Sequence, residues 1–167
     1  INGREIENKF LNELVGVCQE KSGDMHLKFF EGTTALAMLA FSRRDADILL
    51  VETGMGWDQD PTNIIPDPIL SIMTPVYYDH MEYLGETLSE ITKNKASLLR
   101  KDIPCIASAQ PEEVQETLEK EAANNNVPLY LCNKHWAVQK IPEGLRFTDS
   151  HGTIDFPAPG LIGDHQY

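Results

Sequence analysis

Apolar residues recur along the chain in two patterns, each typical of one kind of regular structure. In some stretches every third or fourth residue is apolar, which is the spacing of a helix with one buried face. In others the apolar residues are consecutive, which is typical of a strand buried inside a parallel sheet. These patterns, with the caps and turn residues between them, predict helices over residues 5–20, 33–41, 80–98 and 111–124, and strands over residues 47–52, 70–76, 103–108 and 127–132.

The pattern changes after Cys132. Short β-type segments over residues 136–138, 145–148 and 153–156 are separated by Pro-Glu-Gly and Ser-His-Gly, which are turn-forming sequences. They predict a β-hairpin or meander at the C-terminal end. With the alternating strands and helices before it, this order predicts an α/β fold that has a mostly parallel sheet flanked by helices.

Residues near the predicted helix ends fit these assignments. Gly23 follows the first helix, as expected of a helix exit. Thr33 or Thr34 is expected to cap the second helix, because a hydroxyl can accept a hydrogen bond from a free backbone N–H. Pro111 is expected in the first turn of the last helix, where no N–H is needed.

Lys95 falls on the apolar side of the helix that is predicted to start near His80. It lies four residues after Ile91, whereas Lys93 points to the opposite side. The apolar positions of this side are Leu84, Leu88, Ile91 and Leu98. Burying an ammonium group is costly unless it is paired or chemically changed. Two interpretations stay open: the side chain reaches water from an apolar stem, or it is converted to a carbamate, an anionic oxygen ligand suited to Mg²⁺.

Composition and charge exclude several classes of function. The 167 residues suit one domain with a real core, and the net charge of −12 argues against a nucleic-acid-binding surface. No apolar run has the length of a membrane span, and no signal peptide is recognisable. The three cysteines are widely spaced and form no CxxC pair, which is typical of reduced thiols in a cytoplasmic protein.

Candidate functional residues follow two of the predicted strands. Glu52 ends the run 47–52 and is followed by a Gly-x-Gly turn, and His80 comes after the run 70–76. Ligands of open α/β sheets bind at such carboxyl ends. The turn could equally be the first motif of an S-adenosylmethionine-dependent methyltransferase or a plain tight turn. Gln59 stands where the dinucleotide fingerprint needs a third glycine, and no Walker lysine motif occurs in the chain.

Four segments carry a resemblance that spans nearly the whole chain. They are HLKFFEGTTALAMLAF from His26, VETGMGWDQDPTNII from Val51, TPVYYDHMEYLGETLSEITKNKASLLRKDIPCI from Thr74, and PGLIGDHQ from Pro159. In order and spacing they resemble the folylpolyglutamate synthase and dihydrofolate synthase family, within the Mur ligase superfamily. The resemblance implies the superfamily's central ATPase domain.

This resemblance implies an ATP-dependent ligase. Members of the family activate a carboxylate with ATP as an acyl phosphate and join it to the amino group of glutamate, on dihydropteroate or on folate. Carried over by position, Glu52, His80 and a carbamylated Lys95 would be the catalytic ligands of Mg²⁺. Phe30 and Asp60 would line the pteroate pocket, Phe30 by stacking on the ring system. The implied partners are ATP, glutamate and pteroate or folate, with no nucleic acid and no membrane, and we expect a monomer.

The chain departs from the family pattern beside the folate loop. Trp57 and Asp58 stand where the pattern E-V-G-L-G-G-R-x-D-A-T-N has its last glycine and its arginine, and Pro61 replaces its alanine. The family's E-K-A-G-I is N-K-A-S-L around Lys95. A divergent homologue that binds folate or metal without ligating, another Mur-type amide ligase and an unrelated methyltransferase therefore stay open as alternatives.

The chain also starts at Ile1 rather than at Met, and it ends at Tyr167 shortly after a Pro/Gly-rich segment. The family's phosphate-binding loop would precede Ile1, and its C-terminal domain would follow Tyr167. We therefore expect residues 1–167 to be a single partial domain that does not catalyse ligation on its own.

Overall fold

The computed structural model describes residues 3–161 and 163. By their internal contacts these residues form two compact units, Ile1–Met55 with Gln59–Ile64 and Gly56–Asp58 with Ile65–Tyr167. The assignment of 1–167 to a single partial domain stays a prediction. Half of the PGLIGDHQ motif, residue 162 and the segment 164–166, lies outside the described residues.

Two helices dominate the first unit. Helix α1 spans Asn8–Ser22 and ends at Gly23, whose positive φ of 53° suits a glycine. Helix α2 spans Phe29–Ser42, so it begins four residues before the expected Thr33. The predicted cap was wrong because another group caps the helix: the Glu31 carboxylate accepts a hydrogen bond of 2.8 Å from the N–H of Lys28.

The predicted strand over residues 47–52 is wrong. The segment has no regular structure, and its side chains lie largely in solvent, with Ile48 73% and Leu50 83% exposed. A continuous apolar run becomes a strand only where another strand offers backbone partners. Among the described residues no strand pairs with this run.

The second unit contains the predicted parallel sheet, which confirms the α/β assignment. Its strands are β1 (Ser71–Met73), β2 (Cys105–Ala107) and β3 (Leu129–Leu131), in the order β1-β2-β3. The three strands are shorter than the apolar runs that predicted them. The predicted meander is also confirmed: β4 (Trp136–Ile141), β5 (Gly144–Asp149) and β6 (Gly152–Pro157) form an antiparallel sheet.

The helix predicted from His80 is two helices. Helix α3 covers Met81–Leu84 and helix α4 covers Leu88–Ala96, with Gly85 between them at φ 119°. The periodicity continues across this break, but the backbone does not. The predicted helix over residues 111–124 is α5, which covers Glu112–Asn124. Pro111 occupies its N-terminal cap position, one residue before the first turn in which it was expected.

One face of the parallel sheet forms the core. Met73, Cys105 and Leu131 belong to a buried cluster with apolar residues of α4 and α5, such as Ile91 and Leu118. On the other face of the sheet the side chains of β1 to β3 are exposed. The core therefore fixes α4, and with it Lys95, to the sheet.

The state of the cysteines and the lengths of the helices can be compared with the sequence predictions of reduced thiols and of no membrane span. All three cysteines are free, and burial raises the pKa of the Cys105 thiol to about 11. Within 3–161 and 163, each helix is too short or too polar to cross a bilayer.

Candidate functional site

A buried carboxylate ties together the chain around Gly54. Asp60 is only 4% exposed. Its Oδ2 atom accepts a hydrogen bond of 2.8 Å from the N–H of Met55. Its Oδ1 atom accepts bonds of 3.0 and 2.7 Å from the N–H and the hydroxyl of Thr62. A carboxylate is stable away from water only with such donors, so Asp60 fixes Met55 and Thr62 relative to each other.

The ring of Phe30 lies against the same glycine. A Cβ atom placed on Gly54 would lie 2.7 Å from two ring carbons of Phe30 and 3.2 Å from Oδ2 of Asp60. Only a glycine permits this approach. The structure therefore brings Phe30 and Asp60 to one place, while Phe30 stays 46% exposed. We call Phe30, Gly54, Met55, Asp60 and Thr62 the Asp60 cluster.

Glu52 does not end a strand, contrary to the sequence prediction. Its side chain is exposed, at the end of the irregular run 47–52. Glu52 belongs to the first unit, whereas His80 and Lys95 belong to the second.

His80 has an unusual backbone conformation. Its φ of 49° and ψ of 36° are left-handed, and the other described non-glycine residues with positive φ are Asp or Asn. Such a conformation is disfavoured for a residue with a side chain and often accompanies a functional position. The N–H of His80 donates to Oδ1 of Asp79 at 2.8 Å, and its Nε2 atom lies 3.6 Å from Oδ2 of that carboxylate. The imidazole stays partly exposed.

Lys95 lies at the edge of the buried side of α4. Ile91, Thr92 and Ala96 on this helix are buried, Lys95 is half-buried, and Lys93 is exposed. The predicted difference between the two lysines is therefore confirmed, whereas carbamylation of Lys95 stays a prediction. The half-buried position shields the side chain from bulk water on one side.

These residues fit a hard divalent cation by their chemistry. Over the described residues, no group of three His, Cys, Asp or Glu side chains is arranged to hold a metal ion. A carboxylate, an imidazole and a carbamate are each suitable ligands for such a cation. The partly exposed imidazole and the exposed carboxylate are both accessible to an ion.

Gln110 is a positioning group that the sequence did not reveal. Its Nε2 atom donates to the carbonyl of Thr74 at 3.0 Å, and its Oε1 atom accepts from the N–H of Val76 at 2.9 Å. It thereby holds the segment that leaves β1 towards Asp79. Its partners lie more than thirty residues away in sequence, so no local pattern signals them.

The large residue at the position of the family's glycine is accommodated. Trp57 packs against the core of the second unit, and its ring centroid lies 6.5 Å from that of Tyr83 on α3. The side chain therefore has a structural role in the second unit. Asp58 beside it is exposed.

Comparisons with known proteins agree with this architecture, although no family model matches the chain. It is 35% identical over 139 residues to a probable dihydrofolate synthetase of Schizosaccharomyces pombe, which covers 82% of this chain and 33% of that protein. It is 31% identical over 153 residues to a folylpolyglutamate synthase of Lacticaseibacillus casei, which covers 89% of this chain and 36% of that protein.

A solved structure gives the same result for the fold. The structure of E. coli FolC in complex with DHPP and ADP superposes with a TM-score of 0.87 at 26% identity. The match covers 98% of this chain and 39% of that one. The chain thus spans between about a third and two fifths of the length of the proteins that it matches.

Proposed function

Because the chain belongs to the family of folylpolyglutamate and dihydrofolate synthases, we propose that it is part of an ATP-dependent ligase that adds L-glutamate to dihydropteroate or folate. The observation that carries this proposal is the match of 98% of the chain to a protein solved with DHPP and ADP. The chain spans only part of these relatives, so the activity is proposed for the full-length protein.

The reaction has two chemical steps. A carboxylate oxygen of the pteroate or folate attacks the γ-phosphorus of ATP, which forms an acyl phosphate and releases ADP. The amino nitrogen of glutamate then attacks the acyl carbon, an amide bond forms, and inorganic phosphate leaves. Both reactants of the first step are anions, so the protein must bring like charges together.

The Asp60 cluster is the proposed pteroate site. The half-exposed ring of Phe30 provides an apolar face on which a planar pterin can stack. Both oxygens of Asp60 already accept hydrogen bonds from Met55 and Thr62. Asp60 therefore lines the pocket mainly by holding its backbone in place.

Glu52, His80 and a carbamylated Lys95 are the proposed ligands of Mg²⁺. The left-handed backbone of His80 and the half-buried position of Lys95 support these roles. These residues would hold Mg²⁺, which would supply positive charge to offset the negative charge that develops during phosphoryl transfer. Carbamylation forms an N–C bond between Nζ of Lys95 and CO₂. Starting from the ammonium form it releases two protons, and it changes a cation into an anion.

The remaining properties follow the same proposal. We propose a cytoplasmic monomer that binds ATP, glutamate and pteroate or folate, and neither nucleic acid nor membranes. The three free cysteines and the net charge of −12 support the location and the absence of nucleic-acid binding.

The test is ligation by the full-length protein. Dihydropteroate or folate, ATP, Mg²⁺ and labelled glutamate are mixed with the protein, and phosphate release and the mass of the product are measured. We expect one phosphate per glutamate added. ATP turnover without a glutamylated product, or no turnover with either pteroate or folate, would contradict the proposal. The second result would instead favour a homologue that binds folate without ligating it.

A further inference from the structure

Helices α3 and α4 meet at a sharp turn that two side chains of α4 hold together. We call the connecting residues Gly85, Glu86 and Thr87 the elbow. The Oε2 atom of Glu90 accepts hydrogen bonds of 2.9 and 3.1 Å from the N–H groups of Glu86 and Thr87. One turn later, the Nδ2 atom of Asn94 donates a bond of 2.7 Å to the carbonyl of Leu84 at the end of α3.

The elbow has no room for a side chain at Gly85. A Cβ atom on Gly85 would lie 2.5 Å from Cβ of Glu90, and the φ of Gly85 is 119°. Both observations require a glycine at this position. The two helices are therefore packed closely at their junction.

Helix α3 depends on contacts from outside itself. It has four residues, and helices of this length are not stable alone. Its first residue follows His80, whose carbonyl accepts hydrogen bonds of 2.9 Å from the N–H groups of Tyr83 and Leu84. Its last carbonyl is the one that Asn94 binds, at the end where helix carbonyls lack partners. A contact at Leu84 thus restrains His80 through a single turn of helix.

We propose that Asn94 is a positioning residue for the metal site, because its amide holds the helix that follows His80 against the helix that carries Lys95. The proposal rests on the assigned ligand roles of these two residues. Asn94 directly precedes Lys95, so the hydrogen bond joins the backbone next to one ligand to the short helix next to the other. In the family pattern a glutamate stands at this position. An ionised carboxylate cannot donate to a carbonyl, so the link is a property of this chain.

The test replaces the donor without changing the size of the side chain. Asn94→Asp in the full-length protein removes the N–H and places a negative oxygen against the Leu84 carbonyl. Mn²⁺ serves as the probe, and its binding is measured by an electron paramagnetic resonance titration. We expect binding to weaken about tenfold or more, as is usual when the support of a metal ligand is lost. The Mg²⁺ concentration for half-maximal ligation should rise by a similar factor, with the KM for pteroate unchanged.

Asn125→Asp is the matched control. The Nδ2 atom of Asn125 donates to the carbonyl of Glu121 at 2.8 Å, which is the same kind of bond at the end of α5. Its loss should lower the thermal midpoint without changing Mn²⁺ binding. Asn94→Ser, which leaves the carbonyl to water, should weaken Mn²⁺ binding as well, and it provides the result if Asn94→Asp does not fold.

The outcomes separate the two proposals. Suppose that the unsubstituted protein binds Mn²⁺ and ligates glutamate. If Asn94→Ser and folded Asn94→Asp then bind Mn²⁺ as tightly as the unsubstituted protein, the positioning role is overturned and the proposed function stands. Equal weakening by Asn125→Asp also overturns it, because the effect is then one of general stability. If the unsubstituted protein binds no Mn²⁺ and makes no product, both proposals fail.

Discussion

The Asp60 cluster and the α3–α4 elbow use polar side chains in opposite ways. In the Asp60 cluster the acidic residue named as a site residue is itself the structural link, because both of its oxygens bind the neighbouring chain. In the second unit the residues named as ligands, His80 and Lys95, stay partly accessible, and other side chains hold the backbone. Glu90 and Asn94 do so at the elbow.

The difference indicates that Asp60 shapes a pocket, whereas His80 and Lys95 are available as ligands. A carboxylate that already accepts several hydrogen bonds has little capacity left for a substrate, so its loss should act on the fold and on the shape of the pocket. A half-buried lysine beside a fixed backbone can still react with CO₂. Substitutions in the two regions should therefore have different signatures: instability at Asp60, and loss of turnover at Lys95.

The largest effect is expected for Lys95. Lys95→Ala removes the proposed carbamate and should lower kcat by roughly 10²–10³-fold, as is typical when one group that stabilises a charged transition state is lost. The measurement is steady-state ligation by the full-length protein. Lys93→Ala, on the exposed side of the same helix, should keep kcat close to that of the unsubstituted protein. Equal losses in the two variants would remove the distinction between these lysines.

The next effect is on stability. Asp60→Ala leaves donors of Met55 and Thr62 without their acceptor, which should lower the free energy of unfolding by about 3 kcal/mol. Urea denaturation measures this change. Asp47→Ala, which removes an exposed carboxylate of the same unit, should have little effect. An Asp60→Ala protein of unchanged stability that fails only to bind pteroate would show that Asp60 acts directly on the substrate.

A smaller effect is expected at Gly54. Gly54→Ala places a methyl group 2.7 Å from the Phe30 ring, so the ring must move. We expect this to lower the free energy of unfolding by about 1–2 kcal/mol. If the ring stacks on the pterin, the KM for pteroate should rise several-fold. Gly32→Ala is the control, because a methyl group there meets nothing within 4 Å and lies on the same helix as Phe30. An unchanged KM in Gly54→Ala would argue against the stacking role.

The smallest effect concerns the pH dependence of the elbow. Hydrogen bonds from the N–H groups of Glu86 and Thr87 hold the pKa of Glu90 below its usual value of 4.5. A depressed carboxyl pKa means that this stabilisation is present above the unfolded value and is lost as the pH falls through the folded value. The melting temperature of Glu90→Gln should therefore be slightly lower than that of the unsubstituted protein at pH 7. This difference in melting temperature should shrink below pH 4.5. A difference that is the same at pH 3 and pH 7 would exclude the ionised carboxylate as its source.

Elements whose signals are local could be predicted from the sequence. The runs that became β1 to β3, the turns of the meander and the Pro111 start of α5 each depend on neighbouring residues. The break in the His80 helix had a local signal as well. Thr87-x-x-Glu90 is a capping-box sequence, and in the structure Thr87 accepts a hydrogen bond from the N–H of Glu90. The apolar spacing continues across the break, so the periodicity alone predicted one helix.

Features that depend on distant partners could not be predicted in this way. Residues 47–52 have the composition of a strand, but pairing requires another strand, which composition does not report. The partners of Gln110 lie far away in sequence, and the bond from Asn94 crosses the elbow. In the candidate site, the resemblance named Phe30 and Asp60. Only the structure showed that they meet at Gly54 and that Asp60 is already engaged.

The most direct test of the central claim is a ¹³C nuclear magnetic resonance spectrum of the full-length protein equilibrated with ¹³C-labelled bicarbonate. We predict one carbamate signal that is absent in Lys95→Ala and retained in Lys93→Ala. A spectrum without this signal, from a protein that ligates glutamate at full rate in CO₂-free buffer, would contradict the account.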